Sequence, residues 1–280
     1  MRKERLVNFQ NIAPGQTAIL TCPIGPTYEK FKINLTGGLV ISQVTSIVGK
    51  INDKPFFTTT GADLLAENLY EGRANPTNII VLNFVRENAK SSSGNTGATS
   101  QVAEQMLTAI SSALCQKLTW EITLDPGAPS GSNMVCYAQL NNPSKNPMVL
   151  KSIYSALALP YAQDNDIPLA VKGAGAIIKK LYIHQSNYGV TGAGSISYMQ
   201  LRNAGVIIWE GAPSDAASDH TDYGKVEQAG LTVIDFDLQG MREKWLNSTM
   251  TNNLFLRLTT VTGPFNLRLY QSIVDPIQRA

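Results

Sequence analysis

The sequence predicts an all-β protein made of two tandem domains of one plan. Three observations predict it. Short β-prone runs fenced by turn signals fill most of the 280 residues. Helical periodicity is confined to a few brief stretches. The same order of elements then returns after the midpoint. A domain typically holds about 100–200 residues, so this length suits two medium domains.

The first strand is Thr17–Cys22 (TAILTC), after the turn signal Pro14-Gly15. Tyr28–Leu35 (YEKFKINL) alternates: Tyr28, Lys30, Lys32 and Asn34 fall on one face, Phe31, Ile33 and Leu35 on the other. Val44–Ile51 is a strand closed by the turn Asn52–Pro55. The period changes at Thr60–Tyr70, where Leu64, Leu65 and Leu69 fit a short amphipathic helix with Thr60 at its N-cap. Asn78–Arg86 is nearly all apolar, as a buried strand is. Lys90–Ser100 (KSSSGNTGATS) has the composition of a flexible surface loop. Gln101–Leu114 reads as a helix. Lys117–Leu124 and Met134–Leu140 are strands parted by the turn Asp125-Pro126-Gly127.

Asn141–Asn146 (NNPSKN) is polar, contains Pro143 and lies near the midpoint, so the expected domains are 1–146 and 147–280. Met148–Leu159 reads as a short linking helix ended by Pro160. Strands follow at Ile178–His184 and at Ser195–Arg202 with Val206–Trp209, a hairpin through Asn203-Ala204-Gly205. Pro213–Tyr223 is turn-like or weakly helical. Leu231–Leu238 is a strand, Met241–Thr249 a short helix, and Asn253–Thr260 and Asn266–Ser272 are closing strands.

The halves match in order. Phe31–Leu35 pairs with Leu181–Gln185, 150 residues on. Asn78–Phe84 pairs with Gly230–Phe236, 152 residues on. Leu118–Leu124 pairs with Phe255–Val261, 137 residues on, and Val135–Gln139 with Arg268–Ser272. A nearly constant offset with one localised loss, at loop 90–100, is the mark of a duplicated domain. Each half is eight-stranded or nearly so, with short helices in its crossovers. The jelly roll fits that strand count best. An immunoglobulin sandwich also has the pattern but rarely carries two inserted helices per domain.

Composition narrows the function. Charged residues are 16% of the chain, against a usual value of about 25%. A protein that buries surface against neighbours has less use for solvated charge. The net charge of +2 comes with no basic stripe, so sequence-specific nucleic-acid binding is not expected. Arg2, Lys3 and Arg5, interrupted by Glu4, read as a solvated, poorly ordered end. The other reading is contact with an anionic surface such as lipid headgroups. Cys22, Cys115 and Cys136 lack CxxC spacing and read as buried small hydrophobes. No apolar N-terminal run resembles a signal peptide, and none approaches the ~20 residues of a membrane span.

Catalytic signatures are missing. His184 falls in a strand and reads as a packed or surface residue. His220, beside Asp219 and Asp222, reads as part of a solvated acidic loop, with a cation site as the sharper reading. Asp164-Asn165-Asp166 is a similar case. Neither run has the EF-hand pattern. Gly173-Ala174-Gly175 and Gly192-Ala193-Gly194 lack the third glycine of a nucleotide loop, and the serines lack a GxSxG context. Trp120, Trp209 and Trp245 are too far apart to read as a sugar platform.

Pro23–Glu29 (PIGPTYE) with the strand FKINLTG resembles the N-terminal region of the corticovirus-type major capsid proteins. So do Ser42–Asn68, Asn83–Glu87 (NFVRE) and, in the second half, Leu150–Ser152 and Ile177–Trp209 through to the closing strands. The resemblance covers most of the chain and departs at 90–100 and 213–224. It implies a double jelly roll that trimerises into a pseudo-hexagonal capsomer and tiles an icosahedral shell around an internal lipid membrane. The implied partners are the chain itself, neighbouring trimers, penton or minor capsid proteins, and the viral inner membrane, which Arg2, Lys3 and Arg5 would face. The implied setting is the virion capsid, with synthesis in the host cytoplasm. Loop 90–100 and segment 213–224 are expected on capsid-surface or inter-capsomer positions.

No catalytic or cofactor-binding residue is assigned. Relatives use calcium to stabilise the shell, so a structural Ca²⁺ is an expectation without named ligands. Two rivals stand beside the coat protein. One is a jelly-roll spike or lectin that binds a receptor or glycan. The other is a cupin-like enzyme, which would need His and carboxylate ligands clustered inside a barrel.

Overall fold

The computed structural model describes residues 2–73, 76–90, 98–159, 161–170, 176–185, 196–248, 253–262 and 265–277. Most of loop 90–100 and both Gly-Ala-Gly runs lie outside them. The chain divides into two units. Unit 1 is Met1–Leu69, Arg73–Ser152 and Asp275–Ala280. Unit 2 is Tyr70–Gly72 and Ile153–Val274.

In unit 1 the strands are β1 (Arg2–Arg5), β2 (Thr17–Cys22), β3 (Thr27–Thr36), β4 (Val44–Ile51), β5 (Lys54–Thr59), β6 (Ile79–Asn83), β7 (Ile110–Ser111), β8 (Leu118–Leu124) and β9 (Asn133–Asn141). Helix α1 (Gly61–Tyr70) follows β5, and α2 (Ala98–Met106) follows β6. One sheet runs β1-β9-β3-β6, with β7 also on β3. The other runs β5-β4-β8-β2. Their inner faces share one core, in which Phe31, Ile33 and Ile80 of the first sheet meet Leu20, Ile47, Trp120 and Ile122 of the second. Thr60 caps α1 as expected, its Oγ1 accepting from the Asp63 amide at 3.2 Å.

Unit 2 repeats this. Its strands are β10 (Met148–Leu159, entering from unit 1), β11 (Asp164–Pro168), β12 (Ile177–Gln185), β13 (Ile196–Asn203), β14 (Val206–Gly211), β15 (Leu231–Asp235), β16 (Leu246–Asn247), β17 (Leu254–Thr260) and β18 (Phe265–Pro276). Helix α3 (Pro213–Asp222) follows β14. One sheet runs β10-β18-β12-β15, with β16 also on β12. The other runs β14-β13-β17-β11. The core is aliphatic, with Leu181, Ile183 and Leu269 facing Leu201, Leu256 and Leu258. Among the described residues each unit is thus an eight-stranded jelly roll with one extra two-residue strand.

The correspondence reaches single residues. A β-bulge between Tyr28 and Lys30 in β3–β9 recurs between Ile178 and Lys180 in β12–β18. The bulge at Val44/Ser46 in β4–β8 recurs at Ile196/Tyr198 in β13–β17. That at Gly49/Lys50 in β4–β5 recurs at Leu201/Arg202 in β13–β14. Bulges are set by local sequence and kept within a fold, so three repeated in order are strong evidence of duplication.

Several expectations are corrected. Tyr28 does not lie on the lysine face. The bulge reverses the alternation there, and Tyr28 is fully buried with its ring stacked 4.9 Å from Phe31. Met148–Leu159 is a strand, because Val149 turns into the unit 1 core and Ser152 bridges Phe57 of β5 in parallel. An apolar run of this length is ambiguous by period alone. The helix read over Gln101–Leu114 stops at Met106, since Ile110–Ser111 pairs with Thr27–Tyr28. In place of the helix read over Met241–Thr249, the described residues have a 3₁₀ turn at Arg242–Lys244 before β16. Arg2–Arg5 is not a loose end but a strand on β9, with Arg2 opposite Leu140 and Arg5 opposite Tyr137.

The third repeat match slips by one. Leu118, Trp120, Ile122 and Leu124 point inward, and so do Leu254, Leu256, Leu258 and Thr260. The match of Leu118 to Phe255 therefore sets inward residues against outward ones. A one-residue shift exchanges the faces of a strand.

Candidate functional site

The residues that sequence analysis singled out do not converge. Asp164 and Asp166 stand on β11. Arg257 grips Asp166 through two hydrogen bonds of 2.6 and 2.7 Å, and the Thr259 hydroxyl donates to Asp164 at 2.6 Å. That fork holds the Asp166 carboxyl below the usual carboxylate range. His220 is not in a solvated loop. It lies on α3 with its ring buried against Tyr70 (5.3 Å) and Nδ1 3.0 Å from Glu227. Asp215, Asp219 and Asp222 of the same helix face solvent. His184 is packed in unit 2, edge-on to Tyr270. Among the described residues no three His, Cys, Asp or Glu side chains form a metal-binding group. The three cysteines are free and buried, and burial pushes the Cys136 thiol up to about 12. Trp120 is in the unit 1 core, Trp209 packs on the unit 2 core, and the Trp245 indole donates to Asp237 at 2.8 Å.

Unit 1 buries the ion pairs Arg86–Glu104 and Lys151–Asp275, and unit 2 buries a larger cluster of charge. Lys180 donates to Asp235 at 2.7 Å and to Glu71, and Lys225 donates to Glu71 at 2.7 Å. Tyr182 also donates to Glu71, at 3.1 Å, and Tyr70 to Asp235, at 3.3 Å. Burial and the neighbouring Asp235 hold the Tyr70 phenol far above its ordinary value. Each charge faces an opposite partner, which is how such a cluster stays ionised out of water. The cluster fastens the Tyr70–Gly72 segment into unit 2. Its members are committed to one another, so it reads as structural.

Two exposed strands remain. β1 turns all four of its residues to solvent, with Lys3 above the Tyr137 ring at 4.9 Å and Arg2 paired with Glu4 at 2.9 Å. β14 ends its sheet, with β13 on one side and no further strand among the described residues. It carries Val206, Ile207 and Ile208 at 65%, 42% and 42% exposure. Isolated surface apolar residues mean little. Three in a row on an unpaired sheet edge form a surface built to be covered. Sequence analysis recognised this hairpin but not its exposure, because a continuous apolar run normally signals a buried strand.

Two family models match the chain: the viral coat protein P2 N-terminal domain over residues 3–141, and the viral coat protein P2 C-terminal domain over residues 158–275. Among solved structures, the chain is similar to the major capsid protein P2 from bacteriophage PM2, at 18% identity and a TM-score of 0.85, covering 97% of this chain and 96% of that one. It is also similar to the STIV major capsid protein, at 13% identity and a TM-score of 0.67, covering 99% and 97%. The third is PBCV-1 VP54, fitted into a reconstruction of the virophage Sputnik, at 10% identity and a TM-score of 0.61, covering 98% and 93%. No curated protein matches the sequence. The structural likenesses speak for the double jelly-roll fold, and the two family models carry the assignment. Because they span all but the two ends and residues 142–157, the chain belongs to the viral coat protein P2 family, a structural component of the virion capsid.

Proposed function

We propose that this coat protein assembles as a homotrimer whose six barrels give a pseudo-hexagonal capsomer, and that such capsomers tile an icosahedral shell around an internal lipid membrane. The observation that carries the reading is the strand-for-strand and bulge-for-bulge repeat of the two units. A chain that presents two like barrels needs three copies to make a six-sided tile. Closed barrels also suit the task, since they leave few sheet edges to pair indiscriminately.

The function is mechanical and needs no catalytic residue. It needs no bound metal at Asp164 and Asp166 either, whose carboxylates are already engaged by Arg257 and Thr259. Penton and minor capsid proteins are the remaining partners of such a tile. Nothing in the molecule supports the spike or lectin alternative. Native mass spectrometry of the purified chain is expected to show a particle of three 30.3 kDa subunits. A monomer at micromolar concentration would contradict the reading.

A further inference from the structure

We propose that the outward face of the β1-β9-β3-β6 sheet of one copy takes in the end of α3 of the next copy, with Asp222 set against Lys30 and Lys32. This contact rests on the trimer reading and names the residues that meet where one copy joins the next.

A segment seated in unit 2 provides the pattern. Tyr70–Gly72, which ends α1 and follows it, belongs to that unit. It lies on the side of β12 that turns away from the core, since Leu181 and Ile183 face the core and Lys180 and Tyr182 alternate with them. The Tyr70 ring meets the Tyr182 ring edge-on at 6.2 Å and has the Lys180 amine 5.7 Å from its centre. Lys180 and Tyr182 both donate to Glu71. Covered in this way, Lys180 is 3% exposed and Tyr182 8%.

The repeat puts the same face in unit 1. The shared bulge makes Lys30 the counterpart of Lys180, and with it Lys32 of Tyr182, Asn83 of Asp235 and Tyr137 of Tyr270. Phe31 and Ile33 face the core, so Lys30 and Lys32 turn outward. The register sets two rungs across this face. Lys3, Gln139, Lys30 and Asn83 form one, and Arg5, Tyr137, Lys32 and Val81 form the other. Lys3, Arg5 and Lys32 are exposed. Where unit 2 sets Asp235 beside Lys180, unit 1 has the neutral Asn83. Lys30 holds Glu87 instead, at 2.6 Å, and Arg5 donates to Asn8 at 3.2 Å. One carboxylate among these four cations leaves the face positive.

The repeat also supplies the occupant. α3 follows α1 by 152 residues at both ends, the spacing that separates Asn78–Phe84 from Gly230–Phe236. Each helix is followed by a glycine in the left-handed region, Gly72 at φ 73° and Gly224 at φ 72°. Asp222 and Tyr223 therefore stand where Tyr70 and Glu71 do, a carboxylate and a phenol in exchanged order. Tyr70 is fully buried, whereas Asp222 and Tyr223 are exposed. Asp215 and Asp219 share the exposed stripe of α3 with Asp222.

Symmetry and charge agree. A threefold ring closes by heterologous contacts, in which one face of each copy meets a different face of the next. Unit 1 carries an excess of Lys and Arg over Asp and Glu, and unit 2 the reverse. Such complementarity steers approach and fixes register. An anionic membrane would ask for cations alone, whereas the matched helix end and its glycine point to a second copy of this chain.

Charge exchange followed by native mass spectrometry tests the contact. Lys32→Glu and Asp222→Lys are each expected to cut the trimer fraction about tenfold, since each sets like charges against one another. The double variant, with the pair restored in reverse, is expected to return it to within about threefold of the parent. In a second arm, Lys32→Cys with Asp222→Cys is expected to give covalent dimers and trimers with a short bifunctional maleimide, and either substitution alone to give monomers on a denaturing gel. The three native cysteines are buried and stay silent.

Trimers that form equally well with either reversal, or that form without cross-linking in the double-cysteine chain, overturn this contact and leave the trimer standing. An unaltered chain that stays monomeric overturns the trimer and the contact with it. If Lys32→Glu keeps the trimer but abolishes binding to vesicles containing anionic lipid, the face serves the membrane and the contact is wrong.

Discussion

Trp120→Ala is expected to destabilise unit 1 by about 3–5 kcal/mol, the usual cost of emptying an aromatic site in a packed core. Trp120 is fully buried on β8. Its ring centroid lies 5.4 Å from Phe31, 5.8 Å from Phe56, 5.9 Å from Phe57 and 6.0 Å from Phe84. These rings come from both sheets and from the segment after β6, so no single element can move to fill the void. Gly49 shows how tight the site is. A Cβ there would stand 2.6 Å from the Trp120 ring and 2.9 Å from Phe56. The indole nitrogen has no hydrogen-bond partner among the described residues, so the loss is one of packing. Urea unfolding followed by far-UV circular dichroism measures it. A loss below about 1 kcal/mol would mean that the two sheets do not share this core.

Lys180→Met is expected to cost unit 2 about 3–5 kcal/mol by leaving Asp235 and Glu71 as buried, under-compensated carboxylates. The double variant Lys180→Met with Asp235→Leu is expected to recover most of that, since replacing a buried pair by apolar groups is often neutral. The sign with pH follows from the lysine. Burial lowers its pKa, but the charges of Asp235 and Glu71 outweigh burial and raise it overall. A group raised on folding stabilises in full below its unfolded value, about 10.4 for lysine, and loses that contribution as pH rises through the higher folded value. The parent should therefore lose stability in strong alkali through this site, and Lys180→Met should lack that component. Equal midpoints for parent and single variant would show that the cluster does not hold unit 2 together.

The strands legible in the sequence are those whose alternation or apolar run coincides with their burial. β2, β4, β8, β9, β12 and β17 have residues that face one core, and period carries that information directly. The strands it hid are set by partners. β1 reads RKER, which has no β propensity to speak of, and exists because β9 offers an edge. β11 contains Asp164, Asn165 and Asp166, which read as a solvated acidic loop, with a cation site as the sharper reading, until Arg257 and Thr259 of β17 are placed opposite them. The duplication was visible because its two copies share order and spacing. A one-residue slip in the β8–β17 match was not, because weak apolar similarity does not fix the face of a strand. The candidate assembly edge was the least legible feature: VIIW looks the same whether a core or a neighbouring molecule covers it.

The most direct measurement is electron cryomicroscopy of the purified oligomer, viewed down its symmetry axis. Two sibling barrels per chain and three chains per tile predict a six-lobed, nearly hexagonal outline with threefold symmetry. Three lobes, a twofold particle or isolated subunits would contradict it.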